Sequence, residues 1–398
     1  MSCVTKNIAN YSVGNPVNNK YNKTMETDMQ ISETDQSFEL PTTPITNSVN
    51  GSVVWHDGHD PGTPNTSMGS TDEPGPSFHD TNITILCSSD SHILSSDVIE
   101  APALYIESLP GKKIRDKLAD SLNVWLGIEA GGLYQIKHII GLLHNASLIL
   151  DDVEDGSAVR RGRPSAHMVF GTPQAINSAG YQINLATKEI LKLGDIQCIK
   201  SFSEEMEKLY VGQGHDLFWT FNTHRPTVNE YISMVDNKTG ALFKMLVSLM
   251  ETKSHATSSS TWDLKLLVTL LGRYFQIRDD YMNLTSKEYT DQKGFCDDLD
   301  EGKFSLPLIY AYQNASDVDS SILNHVLLQR HKSDAMSLTQ KHLMLDIIKK
   351  TGSLRYTATL LRRLIGEIDK VVGRIEVTTG KENDPLRSLL RKLEVPDE

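Results

Sequence analysis

Two acidic clusters, Asp151-Asp152-Val153-Glu154-Asp155 and Asp279-Asp280-Tyr281-Met282-Asn283, each close a long apolar stretch. In a helix, side chains three and four residues apart share a face, so each cluster would present oxygen donors one turn apart. Two such faces opposed across a cavity could hold several Mg²⁺ ions and, through them, a diphosphate. Taken alone, an acidic run at a helix end is usually a solvated face. A calcium-binding loop is a second ordinary reading, but it needs an oxygen ligand where Val153 stands. Context favours a metal: the first cluster leaves a buried apolar helix, Arg160-Arg161-Gly162 follows closely, and a similar cluster recurs after a similar helix. Carboxylates crowded into one cavity raise each other's pKa unless a cation neutralises them. Hard oxygen donors without His or Cys point to Mg²⁺. Asn283 replaces a carboxylate at the third position of the second cluster, and its amide oxygen can still coordinate with less charge.

Cations accompany the acids. Lys112 and Arg115 are three apart and, if helical, share a face, so they could grip one phosphate together. His144 lies seven residues before Asp151, nearly on the same face, which sends it toward the same cavity, although a hydrogen-bonded core histidine is the plainer reading. Arg160 and Arg161 are adjacent, so their side chains diverge and suit two separate anions, against the alternative of a solvated surface pair. Gly111 and Gly162 allow the backbone to approach closely.

The elements that must position these residues read as helices. Residues 114–126 carry apolar side chains at 114, 118, 122, 125 and 126, the spacing of one buried stripe. Residues 136–150 are apolar almost all round and belong inside the domain; 264–278 repeat that character before the second cluster. Further helices are expected at 203–219, 228–251, 320–328, 343–350 and 354–376. No segment alternates convincingly as a strand, so the chain is read as all-α.

Seven of the fifteen prolines lie before residue 90, with dense Ser, Thr, Asn and Gly and no arginine until Arg115, whereas four prolines interrupt residues 111–384. Residues 1–95 are therefore read as a disordered tail or linker, unable to bury enough apolar surface to offset the entropy of ordering, and residues 96–398 as one helical domain. The net charge of −12 argues against nucleic-acid binding. The four cysteines show no metal or disulfide spacing. No apolar leader or membrane-spanning run is seen, and a cytoplasmic location is expected.

LHNASLILDDVEDGSAVRRGRPSAH (143–167), FQIRDDYMNL (275–284) and KGFCDDLDEGKFSLPLIYA (293–311) resemble the two aspartate-rich motifs and the lysine-bearing segment of trans-isoprenyl diphosphate synthases, most of all the fungal geranylgeranyl diphosphate synthases. The resemblance runs from Ile99 to Val395 through LPGKKIR (109–115), VGQGHDLFW (211–219), NKTGALF (237–243) and KKTGSLRYT (349–357). It implies the isoprenoid-synthase helical fold around a central cavity. It implies three Mg²⁺ ions held by Asp151, Asp152, Asp155 and Asp279, with Asp280 and Asn283 nearby. By the same resemblance Arg160, Lys238, Lys293 and Lys303 would contact the diphosphate of an allylic substrate, and Thr239 and Gln276 would line the region where the allylic cation forms. Isopentenyl diphosphate would sit without metal against Lys112, Arg115, His144 and Arg161. The family pairs as homodimers or larger homo-oligomers.

The implied chemistry is ionisation of the allylic diphosphate, attack by the double bond of isopentenyl diphosphate, and loss of a proton to the released diphosphate. Ser147 and Ala146, four and five residues before Asp151, are small where an aromatic would block a growing chain near fifteen carbons. A twenty-carbon product from a farnesyl primer is therefore expected, with a floor from another helix around Tyr181, although GYQINLATKEI (180–190) lacks the aromatic-rich run of the family. Two other readings remain: a class I terpene cyclase, for which no second metal motif of the required type follows residue 200, and a catalytically silent partner subunit, for which the metal motifs are too intact.

Overall fold

Both apolar stretches that lead into the acidic clusters are buried helices. The computed structural model describes residues 94–254, 256, 262–333 and 336–395, with backbone only for Lys293 and 331–333. The expected tail lies outside the described residues apart from Leu94 and Ser95. In chain order the helices are α1 (Asp97–Ser108), α2 (Ile114–Leu126), α3 (Ala130–Asp155), α4 (Ala166–Phe170), α5 (Thr172–Lys192), α6 (Ile196–Asn222), α7 (Val228–Lys238), α8 (Gly240–Lys253), α9 (Leu264–Thr285), α10 (Lys287–Lys293), α11 (Asp297–Glu301), α12 (Leu306–Asn314), α13 (Asp317–Ser333), α14 (Leu338–Lys350), α15 (Ser353–Thr379) and α16 (Asp384–Arg391). Among the described residues, strand is confined to a hairpin of β1 (Val159–Arg160) and β2 (Arg163–Pro164). The architecture is all-α. No described helix is long and apolar enough to cross a membrane.

Helix α3 is the central member, packing on α5 and α8, while α6 packs on α7 and α8, and α9 on α8 and α15. Its apolar circumference is used twice. Ile136, Ile139, Ile140 and Leu143 enter the main core, and Ala146 and Ile149 enter a smaller one with Ala103 and Ile106 of α1 and Ala175 and Ala179 of α5. Gly156 in the left-handed region ends α3 just past Asp155, and the Ser157 amide donates back to the Asp152 carbonyl.

Three departures from the sequence reading have physical causes. Helix α5 escapes the sequence reading because, apart from Ile190, its buried residues are small or polar, Ala175, Ser178, Ala179, Gln182 and Ala186, a face suited to close approach by α3. The expected run 228–251 breaks at Thr239 into α7 and α8; a Cβ on Gly272 of α9 would lie 3.1 Å from the Gly240 Cα, so the start of α8 is pressed against α9. The hairpin is too short to show alternation. Arg161 (φ 55) and Gly162 (φ 74) form its turn, the left-handed pair that a two-residue hairpin loop requires.

A second close approach sets the site. A Cβ on Gly212 of α6 would lie 2.4 Å from the Lys238 amide nitrogen at the end of α7. Gly212→Ala must therefore push α6 and α7 apart. Although alanine favours helix, overpacking of this kind costs about 1–3 kcal/mol, so urea unfolding should show destabilisation together with reduced activity; a variant as stable and active as the parent would contradict this packing.

Candidate functional site

A cavity of about 350 Å³ opens between α3, α6, α7, α8 and α9, within the usual size range of small-molecule sites. Asp151 and Glu154 of α3 and Asp279 and Asp280 of α9 line it together, joined by Asp298 of α11. The two clusters thus look into one space. Leu148, Leu209, Leu242, Phe243 and Phe275 supply apolar wall, with the two phenylalanine rings stacked 5.3 Å apart.

Four acids crowd the last five residues of α3, with no base in its final turn. Acids at a helix C-terminus oppose the helix dipole, so this sequence is poor design for a free-standing helix and needs cations from elsewhere. Three arrive. Arg160 of β1 is buried, grips Asp152 through Nε (2.9 Å) and Nη2, and reaches Asp151 at 3.4 Å. Lys238 lies 3.1 Å from Asp151 and 2.7 Å from Asp216. Lys303 lies 2.6 Å from Asp155 and 2.6 Å from Glu301, whose carboxylate also accepts from the Ser157 hydroxyl. Burial pulls each cation's pKa down, but the paired carboxylates outweigh it and hold all three above their ordinary values. The carboxylates remain in excess. Burial pushes Asp155 up to about 7, with Lys303 opposing and Asp151 and Glu301 adding to the rise. Burial likewise raises Glu154.

Asp280 is raised by burial too, against three hydrogen bonds: it accepts from the Tyr231 hydroxyl (2.6 Å), Gln276 Nε2 (2.9 Å) and the Leu306 amide at the start of α12 (3.0 Å). The Thr239 hydroxyl donates to Gln276 Oε1 at 2.6 Å, continuing the chain. Asn283 is buried behind this wall, where its amide oxygen accepts from the Asp298 backbone at 3.2 Å. Asp152 and Asp155 also lie off the cavity surface, against Arg160 and Lys303.

A cationic pole flanks the acids. Arg115 Nη1 donates to His144 Nε2 at 2.9 Å, and both line the cavity. A guanidinium only donates, so the imidazole accepts through Nε2; burial, then Arg115 and Arg161, drive the His144 pKa well down and leave the ring neutral. Burial and Arg161 lower Arg115 to about 10, and its Nε is buried without a hydrogen-bond partner. Arg161 diverges from Arg160 as expected and donates to the Leu109 carbonyl at 3.3 Å, with Gly111 tight against its guanidinium. Lys112 sits differently from the reading of one helical face with Arg115: Lys113 is left-handed, α2 begins at Ile114, and exposed Lys112 pairs with Glu288 at 3.0 Å. The side chain of Lys293 lies outside the described residues.

Of the two small residues ahead of Asp151, Ser147 lines the cavity and Ala146 is packed into the smaller core. Tyr181 does not form a floor, because it points from α5 toward Glu100 of α1, 3.4 Å from its carboxylate. Sequence reasoning counted Glu154 in the first cluster without giving it a role, and passed over Asp216, Tyr231, Asp298 and Glu301. Asp298 and Glu301 belong to a third acidic run, Asp297 to Glu301, which was the available signal; for Tyr231 there was none.

Among the described residues, no three His, Cys, Asp or Glu side chains converge as a ready-made metal set. The donor chemistry nevertheless fits Mg²⁺: Asp151, Glu154, Asp279, Asp280 and Asp298 put carboxylates on one cavity wall, and Mg²⁺ commonly takes one or two carboxylates with water and substrate phosphate completing its shell.

The polyprenyl synthetase family profile matches residues 96–344. The chain belongs to the polyprenyl synthetase family. It is 54% identical over 307 residues to phomopsene synthase of Phomopsis amygdali (77% of this chain, 42% of that one) and 47% identical over 302 residues to bifunctional sesterterpene synthase astC of Talaromyces wortmannii (76% and 40%). It is also 46% identical over 299 residues to geranylgeranyl pyrophosphate synthase 3 of Zymoseptoria tritici (75% and 82%). The chain thus spans less than half the length of the first two relatives and most of the third.

An acid with a folded pKa near 7 and an unfolded one of 3.8 binds its proton more tightly when folded. Metal-free protein should therefore lose stability as pH rises between these values and hold level above them. Thermal unfolding in EDTA should show that decline, and Asp155→Asn should flatten it; an unchanged slope in the variant would refute the assignment.

Proposed function

We propose that residues 96–398 form a catalytic unit that condenses isopentenyl diphosphate head to tail with an allylic diphosphate, giving geranylgeranyl diphosphate and diphosphate. What carries the reading is one cavity lined by both aspartate clusters, Lys238 and Lys303 at one end and by Phe243, Phe275 and Leu148 along its walls. Asp151, Asp155 and Asp279 would hold Mg²⁺, three ions with substrate present, and Asp152 would fix Arg160 through their paired contact. When bound, Mg²⁺ neutralises the diphosphate and makes it a better leaving group.

The chain's own residues do the rest. Arg160, Lys238 and Lys303, joined by Lys293, stabilise charge on the departing diphosphate as the C–O bond ionises. Thr239 and Gln276 line the region where the allylic cation forms, and Asp280 and Asn283 hold that wall and Asp298 in place. Arg115, with its buried unpartnered Nε, binds the second diphosphate together with Arg161 and Lys112, while neutral His144 orients Arg115. The apolar wall keeps water from the cation. The double bond of isopentenyl diphosphate attacks C1, and the released diphosphate accepts the proton lost from the adduct.

Ser147 leaves the α3 side of the cavity open, which supports a product beyond fifteen carbons. The enzyme is read as cytoplasmic and homodimeric; Tyr210, Val211, Phe218 and Phe221 of α6 are exposed apolar side chains that a second copy would cover. A twenty-five-carbon product is the competing reading, because sesterterpene synthases are among the relatives. Incubation with farnesyl and isopentenyl diphosphates and Mg²⁺, followed by dephosphorylation and chromatography, should yield mainly the twenty-carbon alcohol and nothing in EDTA. Dominant fifteen- or twenty-five-carbon product would reject the length assignment; hydrocarbon formed from geranylgeranyl diphosphate alone would indicate a cyclase, and no turnover a silent subunit.

A further inference from the structure

Each lysine facing the acidic end of the cavity is held by two carboxylates of different origin. One comes from the first aspartate cluster: Asp151 for Lys238 (3.1 Å) and Asp155 for Lys303 (2.6 Å). The other lies outside both clusters and is buried: Asp216 for Lys238 (2.7 Å) and Glu301 for Lys303 (2.6 Å). We propose that Asp216 and Glu301 are positioning residues that hold the two ammonium groups aimed into the cavity while each exchanges its first-cluster carboxylate for a phosphate oxygen of the substrate. The proposal rests on the diphosphate-transfer reading above.

The physical need is plain. Breaking a buried ion pair by removing its sole partner is strongly unfavourable. A lysine held by Asp151 or Asp155 alone would face that penalty whenever those carboxylates turned to another partner. With a second, permanent carboxylate the exchange proceeds between two compensated states.

Both anchors are built in. Asp216 is four residues after Gly212, on the same face of α6, and Gly212 is the point at which α6 touches the backbone of Lys238. The missing Cβ therefore brings the Asp216 carboxylate within reach of Nζ. The Glu301 carboxylate accepts from the hydroxyl of Ser157, the residue after the glycine that ends α3, so its position is tied to the first cluster. Neither residue needs to touch substrate to act.

Asp216→Asn and Glu301→Gln remove the charge with little change of shape. Calorimetry should show each variant binding inorganic diphosphate in Mg²⁺ about 10- to 100-fold more weakly than the parent, the scale of one charge-assisted hydrogen bond. Kinetics should show a matching loss in kcat/KM for the allylic diphosphate with KM for isopentenyl diphosphate unchanged, and thermal unfolding no loss of stability. Asp216→Glu and Glu301→Asp, which keep the charge, should recover part of the affinity. Unchanged diphosphate affinity, or a loss falling equally on both substrates together with lower stability, would overturn the proposal. A parent protein that binds no diphosphate in Mg²⁺ would overturn the transfer reading itself, and the proposal with it.

Discussion

At the negative end of α3, Asp151 and Glu154 face further carboxylates from α9 and α11 across a cavity with apolar walls, and Asp152 and Asp155 crowd in behind them. Such a concentration of negative charge is unstable without compensation, and much of the local architecture can be understood as delivering cations to it. The hairpin turn at Arg161-Gly162 sends Arg160 inward, the contact of Gly212 with the end of α7 brings Lys238, and the short α11 and the loop before α12 bring Lys303. These three offset the acids only in part. Acids still outnumber cations along the cavity wall, a surplus that a metal cation would offset.

The same cavity separates two kinds of anion recognition. On the acidic side the protein presents carboxylates and lysines already paired, where a ligand must bring its own positive charge and then exchange partners. On the other side Arg115 and Arg161 repel one another, and a neutral histidine accepts one Arg115 bond. Under the proposed function, a diphosphate would bind there directly, and two diphosphates of identical charge would be sorted by whether the surrounding wall is rich or poor in carboxylates.

Much of this was legible in the sequence. The aspartate clusters, the buried character of α3 and α9 and the bounds of α2 follow from residue type and period, because they are local properties. What escaped was set by contacts between distant segments. The buried face of α5 is built mostly from alanine and serine, whose side chains give little apolar bulk to recognise. The break at Thr239 reflects Gly240 meeting Gly272, a contact invisible in either segment. Asp216 and Glu301 look like ordinary surface acids until Lys238 and Lys303 are brought to them, and Lys112 leaves the expected helical face because a left-handed Lys113 precedes the helix. Tyr181 faces α1 rather than the cavity for a similar reason, since helix rotation is decided by the small residues packed beneath it.

The account stands on Asp151 and Asp279 sharing one ligand. Mn²⁺ accepts the same hard oxygen donors as Mg²⁺ and scatters X-rays anomalously, so crystals grown with Mn²⁺ and inorganic diphosphate test that arrangement directly. Anomalous peaks bridging the diphosphate to Asp151 on one side and Asp279 on the other are predicted; manganese and diphosphate bound at another surface, with these two aspartates left unliganded, would contradict it.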